Sequence, residues 1–284
     1  MSVQSERGER LAASLPERYE FRELIGKGGA AYVVLADDRE RGHPVAVKIL
    51  RPEIATVVGE TRFRREIEIL SHLDHPAILP LLDYGSVNEA LLYFTMPFVE
   101  GTTLQVRLRE AGQLPIRDAV SIAEDVAGAL DYAHSRGIIH RDIKPANILV
   151  SDGRVIVADF GIARAMAVDS AEQITVSGVS LGTAQYMSPE QVEAMRELDA
   201  RCDVYALGCV TYEMLAGEPP FTGPTELAIF ARHLGEPPRS IRQVRPEIPV
   251  GVDAAIVKAL QKSRAARFYT AGSYAKALVE GATA

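Results

Sequence analysis

The densest chemistry in the chain lies in the run His140-Arg141-Asp142-Ile143-Lys144-Pro145-Ala146-Asn147-Ile148-Leu149. Five polar residues, His140, Arg141, Asp142, Lys144 and Asn147, crowd a short loop between an apolar helical pattern and two apolar strand patterns, 148–150 and 155–158. A core does not gather hydrogen-bonding groups in this way, because each must find a partner once buried. A catalytic loop accounts for them, with Asp142 accepting a hydroxyl proton and Asn147 binding a metal ion. Asp159-Phe160-Gly161 follows the second strand pattern. Its aspartate beside Asn147 makes a pair of hard oxygen ligands suited to magnesium on phosphates.

Three weaker signals precede this loop. Ile25-Gly26-Lys27-Gly28-Gly29-Ala30-Ala31-Tyr32-Val33 is a glycine-rich turn between strand patterns. Such a turn lets backbone N–H groups approach phosphate oxygens closely, although alone it reads more readily as a glycine-rich hairpin. Val45-Ala46-Val47-Lys48 sets one lysine among apolar residues; by itself Lys48 also reads as an edge-strand lysine facing water. Glu66 sits between Phe63 and Leu70 on a helical pattern. It is placed either to pair with Lys48 and hold the ammonium against phosphates, or as an exposed helix glutamate.

The surrounding elements fall into a β-rich front and a helical back. Residues 1–18 are polar and read as a flexible segment, and strand patterning begins at Tyr19. The segments 32–36, 45–50, 78–84 and 91–96 are rich in β-branched and aromatic residues and predict strands. Between them a single helix is predicted over 62–73 from the spacing of Phe63, Ile67, Leu70 and Leu73. After Gly101 the pattern turns helical. An apolar stripe from Ala119 to Ala133 stops at Gly137, a suitable C-terminal cap. A helix apolar all round follows Asp203 and ends at Gly217, which marks it as a central, buried element. The division is therefore 19–96, a joint at 97–101, and 102–284.

Composition narrows the function classes. The chain has 284 residues, 47% hydrophobic and 24% charged, an ordinary globular balance. A net charge of -7 argues against nucleic acid as a partner, because phosphate neutralisation requires a basic field. No run approaches the ~18 apolar residues that a membrane helix needs. Cys202 and Cys209 are the 2 cysteines, and their spacing fits neither a redox pair nor a metal site. They read as buried small hydrophobes of a reduced, cytoplasmic protein.

Taken in order, Gly26 and Gly28, Lys48, Glu66, the His140-Arg141-Asp142 loop, Asp159-Phe160-Gly161 and Ser188-Pro189-Glu190 resemble the eukaryotic-like protein kinase superfamily over roughly residues 19–275. Within it, Gly182-Thr183-Ala184-Gln185-Tyr186-Met187-Ser188-Pro189-Glu190-Gln191 resembles the bacterial serine/threonine kinases. The resemblance implies an α+β, bilobal kinase fold, with a small β-rich N-lobe carrying one helix and a larger, mainly helical C-lobe. It implies ATP with magnesium, or manganese in its place, and transfer of the γ-phosphate to serine or threonine hydroxyls of proteins.

Roles follow residue by residue. Ile25 through Val33 would cover the nucleotide, with Ala46, Met96, Pro97 and Val99 lining its adenine side. Met96 would control the back of that pocket, and the Pro97 carbonyl and Val99 N–H would contact the base. Lys48 would contact the α- and β-phosphates and Glu66 would orient it. Asp142 would be the base, Lys144 would contact the transferred phosphate, and Asn147 and Asp159 would hold the metal. Thr183 would favour serine or threonine over tyrosine. Asp203 would brace the loop from below, and Arg267 would pair with Glu190. Ala31 departs from the pattern by replacing the loop's third glycine, where its methyl is expected to crowd the strand turn.

Two rival readings remain at this stage. A nucleotide-binding scaffold without catalysis would lack one of Lys48, Asp142 or Asp159, and all three are present. A small-molecule kinase of related fold would lack the long segment from Gly161 to Glu190. That segment is expected to be autophosphorylated at Thr175 and Ser177, with Ser180 a weaker site. Resemblance further implies a homodimer through the β-rich lobe. In a receptor-like arrangement, a membrane span would lie beyond Ala284.

Overall fold

The structure, a computed structural model, describes residues 15–87, 91–160 and 181–283. They form two compact units. One takes in residues 15–74, 79–87 and 91–100, and the other takes in 75–78, 101–160 and 181–283.

The first unit is a five-stranded antiparallel sheet with two helices. Strands β1 (Tyr19–Lys27), β2 (Ala31–Asp38), β3 (His43–Leu50), β4 (Asp83–Val87) and β5 (Leu91–Pro97) lie in the order β1-β2-β3-β5-β4. Both faces are buried, so the period-two alternation of β3 divides its apolar residues between two clusters. Val45, Val47 and Ile49 pack with Val34, Ala36, Tyr19 and Tyr93 on one face. Ala46 and Leu50 pack on the other with Leu92, Phe94 and Met96, beneath Phe63 and Ile67 of the helix α2 (Glu60–Ser71). Lys48 shares the parity of Ala46 and Leu50, so the strand directs it to the face that α2 covers.

Two expectations are corrected here. The strand predicted over 78–84 begins only at Asp83, and Ile78 makes a single parallel bridge to Val157. Pro80 lies inside the predicted run and has no N–H to give a ladder. The lobe also carries two helices rather than one, since a short α1 (Pro52–Val58) precedes α2. Pro52 at its first position supplies the helix start, and Gly59 at φ +72° ends it.

The second unit is mainly helical. It comprises α3 (Leu104–Ala111), α4 (Ile116–His134), α5 (Leu181–Ala184), α6 (Pro189–Val192), α7 (Arg201–Ala216), α8 (Glu226–Gly235), α9 (Val250–Ala259) and α10 (Ala271–Thr283). A small sheet of β6 (Thr102–Thr103), β7 (Ile148–Ser151) and β8 (Arg154–Val157) adjoins them. Gly101 opens this unit at φ +154°, and a Cβ there would stand 2.6 Å from the Val150 carbonyl oxygen, so only glycine fits. The predicted central helix is α7. It is buried almost all round, and Gly217 stops it in the left-handed conformation. Cys202 and Cys209 lie on it as free, buried thiols. The predicted stripe of 119–133 is the core face of α4, which packs against α7 and α10. This helix ends at His134, and Gly137 at φ +74° turns the chain just beyond.

Inside this core, His233 of α8 is wholly buried, with its Nδ1 2.8 Å from the Tyr205 hydroxyl and Phe221 edge-on at 4.9 Å. Burial, aided by the nearby Lys262 ammonium, pulls its pKa down to about 3. An unfolded histidine titrates near 6.5, so between these values the unfolded chain binds the extra proton and stability falls with acid. We expect the urea midpoint to drop from pH 7 to pH 5, and the drop to shrink in His233→Phe. An identical slope in both proteins would show that His233 is not the group responsible.

Candidate active site

The second unit assembles its polar loop around one carboxylate. Asp203, in the first turn of α7, is fully buried. Its Oδ2 accepts the His140 backbone N–H at 2.8 Å and lies 2.8 Å from His134 Nε2, while Oδ1 accepts the Arg141 N–H at 2.8 Å. Burial alone would raise its pKa, but the hydrogen bond and charge of His134 and the loop groups hold it below the usual carboxylate value. Two successive backbone N–H groups are thereby fixed. Arg141 is carried in a left-handed conformation at φ +66°, which costs a non-glycine residue about 1–3 kcal/mol.

His140 ties the loop to the end of β8. Its Nε2 lies 3.1 Å from the Ala158 carbonyl oxygen and its Nδ1 3.2 Å from the Asp142 N–H. A carbonyl can only accept and an N–H can only donate, so the proton sits on Nε2 and the ring is neutral. Burial agrees, because it lowers the pKa of His140. The ring also lies 4.5 Å from that of Phe160. Asp159, between Ala158 and Phe160, is itself left-handed at φ +61°.

Asp142 is the meeting point of this loop. Lys144 Nζ donates to Asp142 Oδ2 at 2.8 Å and to Thr183 Oγ1 at 3.0 Å. Asn147 Nδ2 donates to the Asp142 carbonyl at 2.8 Å and to its Oδ2 at 3.2 Å. These contacts place Asp142, Lys144, Asn147 and Thr183 in one cluster. They also spend the Asn147 amide nitrogen, so its oxygen is the atom available to a cation. With the Asp159 carboxylate, that is a hard-oxygen donor set, which fits magnesium or manganese.

The wall below the cluster is equally ordered. Gln191 Nε2 donates to the Arg141 carbonyl at 2.8 Å, while its Oε1 accepts the Ser188 N–H at 3.0 Å. Arg267 forms a two-pronged bridge to Glu190 at 2.7 and 2.8 Å, and also donates to the carbonyls of Gln261, Arg201 and Lys262. Both partners are buried, and losing one of such a pair strands a charge at a cost of about 3–5 kcal/mol. His134 and Gln191 were not singled out in the sequence. Ser188-x-x-Gln191 has the form of a capping box, but nothing local announces a bond to Arg141, fifty positions away. Thr175, Ser177, Ser180 and Gly161 lie outside the described residues.

The first unit holds the other predicted residues. Ile25–Lys27 end β1 and Ala31–Val33 open β2, with a tight turn closed by Gly28 N–H to the Ala31 carbonyl at 2.9 Å. Ala31 does not crowd that turn. Its methyl is buried among Ala46, Leu50 and Ala55 in the lobe's core. Lys48 stands opposite Phe94 in the sheet register, with Nζ 5.8 Å from the ring centroid. Glu66 is half-buried on α2 between Phe63 and Ile67. Among the described residues no ion pair joins it to Lys48, and α2 carries an Arg64–Glu60 pair. Met96 and Ala46 are buried, and Pro97 ends β5.

Residues 19–278 match the family described as the protein kinase domain. The chain belongs to that family. It is 42% identical over 262 residues to the serine/threonine-protein kinase PknB of Mycolicibacterium smegmatis, covering 90% of this chain and 42% of that protein. It is 41% identical over 270 residues to PknB of Mycobacterium tuberculosis H37Rv, covering 93% of this chain and 43% of that one. The chain thus spans about two-fifths of the length of these curated relatives. The crystal structure of the Mycobacterium tuberculosis PknI kinase domain superposes with a TM-score of 0.75 at 29% identity, covering 95% of this chain and 99% of that one. The five-stranded unit and the helical unit are accordingly the N-lobe and C-lobe of the bilobal kinase fold.

Proposed function

We propose that this kinase domain transfers the γ-phosphate of ATP to serine or threonine hydroxyls of proteins. The observation that carries the reading is Asp142, whose carboxylate accepts from Lys144 and Asn147, with Lys144 donating also to Thr183. In the reaction, the substrate hydroxyl oxygen bonds to the γ-phosphorus. The bond from that phosphorus to the β–γ bridging oxygen breaks, ADP leaves with the electron pair, and the hydroxyl proton passes to Asp142. Lys144, donating to both Asp142 and Thr183, places a cation where the transferred group gains charge. Thr183 limits the substrate side to the shorter reach of serine and threonine. Asn147 and Asp159 would hold magnesium or manganese, which would supply neutralisation of phosphate charge.

In the N-lobe the proposed roles are those of the resemblance. The segment from Ile25 to Val33 covers the phosphates, Lys48 contacts them, and Ala46, Met96, Pro97 and Val99 line the adenine side. Glu66 pairs with Lys48 in the competent arrangement. The division at 97–101 is read as the hinge.

Activation by autophosphorylation at Thr175 and Ser177 belongs to the same proposal. Its support is Arg141, whose Nε is buried without a hydrogen-bond partner among the described residues. A phosphate brings about two negative charges and strong acceptor oxygens to such a cation. A cytoplasmic setting, with ATP and reduced thiols, suits the free cysteines. No helix among the described residues is long and apolar enough to cross a membrane. Homodimerisation through the N-lobe is proposed from the resemblance, and sedimentation of a monomer at micromolar concentration would reject it.

Purified protein incubated with ATP and magnesium should acquire phosphate on serine and threonine, with Thr175 and Ser177 foremost by mass spectrometry. Asp142→Asn, nearly isosteric, should cut the rate by about 10²–10⁴. An undiminished rate in that variant would remove Asp142 from the role of base. Absence of phosphate transfer by the wild type would overturn the kinase reading.

A further inference from the structure

We infer that Arg51 is a positioning residue for the phosphate-covering turn, an inference that rests on the reading of that turn just given. Arg51 follows β3 directly and precedes α1; its carbonyl, its N–H and its Nη2 are hydrogen-bonded, while its buried Nε has no hydrogen-bond partner among the described residues. Its carbonyl accepts the N–H groups of Ile54 and Ala55 at 2.9 and 2.8 Å, which starts α1. Its own N–H donates to the Ala30 carbonyl at 2.9 Å, and its Nη2 donates to the Gly28 carbonyl at 2.7 Å. The guanidinium also lies 5.0 Å from the centroid of the Tyr32 ring.

These contacts fall on consecutive parts of the turn. Gly28 and Ala30 are held by hydrogen bonds and Tyr32 by a cation–π contact, while the Ala31 methyl is sunk in the core beside Leu50, its partner in the ladder. A glycine-rich hairpin of this kind would otherwise be free to fray, because glycine loses more backbone entropy on ordering than any other residue. The arginine is well matched to the task. A planar guanidinium stacks on an aromatic face while one edge donates, which the ammonium of lysine cannot do. The Gly28 carbonyl is drawn to the guanidinium side, so the turn reaches a nucleotide already shaped and loses less entropy on binding phosphates.

A merely structural arginine at the β3–α1 corner would lower stability or weaken all ligands alike. The inference separates phosphate from base. Titration of wild type, Arg51→Ala and Arg51→Lys with magnesium and the non-hydrolysable analogue AMP-PNP, and separately with adenosine, tests it. In Arg51→Ala, AMP-PNP affinity should fall roughly fivefold to tenfold, the scale of a typical net hydrogen bond, while adenosine stays within about twofold. Arg51→Lys should recover only part of the loss, which keeps the test open if the alanine variant does not fold. Equal weakening of both ligands, or none, would overturn the inference. Failure of the wild type to bind AMP-PNP would instead overturn the kinase reading beneath it.

Discussion

A single sealed carboxylate sets the shape of the catalytic loop. Asp203 is anchored in a helix with no exposed face to move toward, and it spends its two oxygens on successive backbone N–H groups and on His134. An ionised carboxylate in such a place is tolerable only because charge-assisted hydrogen bonds replace the lost water. The left-handed turn at Arg141 is then held open, and Asp142 emerges beside Lys144 and Asn147. Without that brace, the backbone strain would relax and the cluster would lose its register.

From this anchor the constraint spreads outward in both chain directions. His140 carries it to Ala158 and Phe160, so Asp159 between them is placed by the same loop that places Asp142. Gln191 carries it to the start of α6 through the Arg141 carbonyl, and the Glu190–Arg267 bridge fixes that short helix against residues 201 and 261–262. Neutral His140 and neutral His233 show what the surrounding packing demands. Both rings are buried where a proton would have no water, and burial keeps them uncharged.

Much of this was legible before any coordinates. The loop from His140 to Asn147 announced itself because polar groups so crowded require a use, and α7 because a helix apolar on all sides has only one place to go. The two faces of β3 follow from alternation. What the sequence withheld was long-range or geometric. The strand at 78–84 looked apolar enough but contains Pro80, and α1, seven residues long, is too short to show a helical apolar stripe. The tether from Arg51 to Gly28 crosses twenty-three positions and has no local pattern. The Ala31 methyl, expected from the sequence to crowd the turn, is turned into the core by the β2–β3 register.

Asp203 holds Asp142, the proposed base, in place through the loop backbone. Steady-state kinetics of Asp203→Asn test it most directly. The amide keeps one acceptor but sets its NH₂ against a loop N–H, donor against donor. A misplacement of the base on this scale should lower kcat by about 10²-fold, with the KM for ATP nearly unchanged and the urea transition still cooperative. A kcat close to wild type in a folded variant would contradict the account.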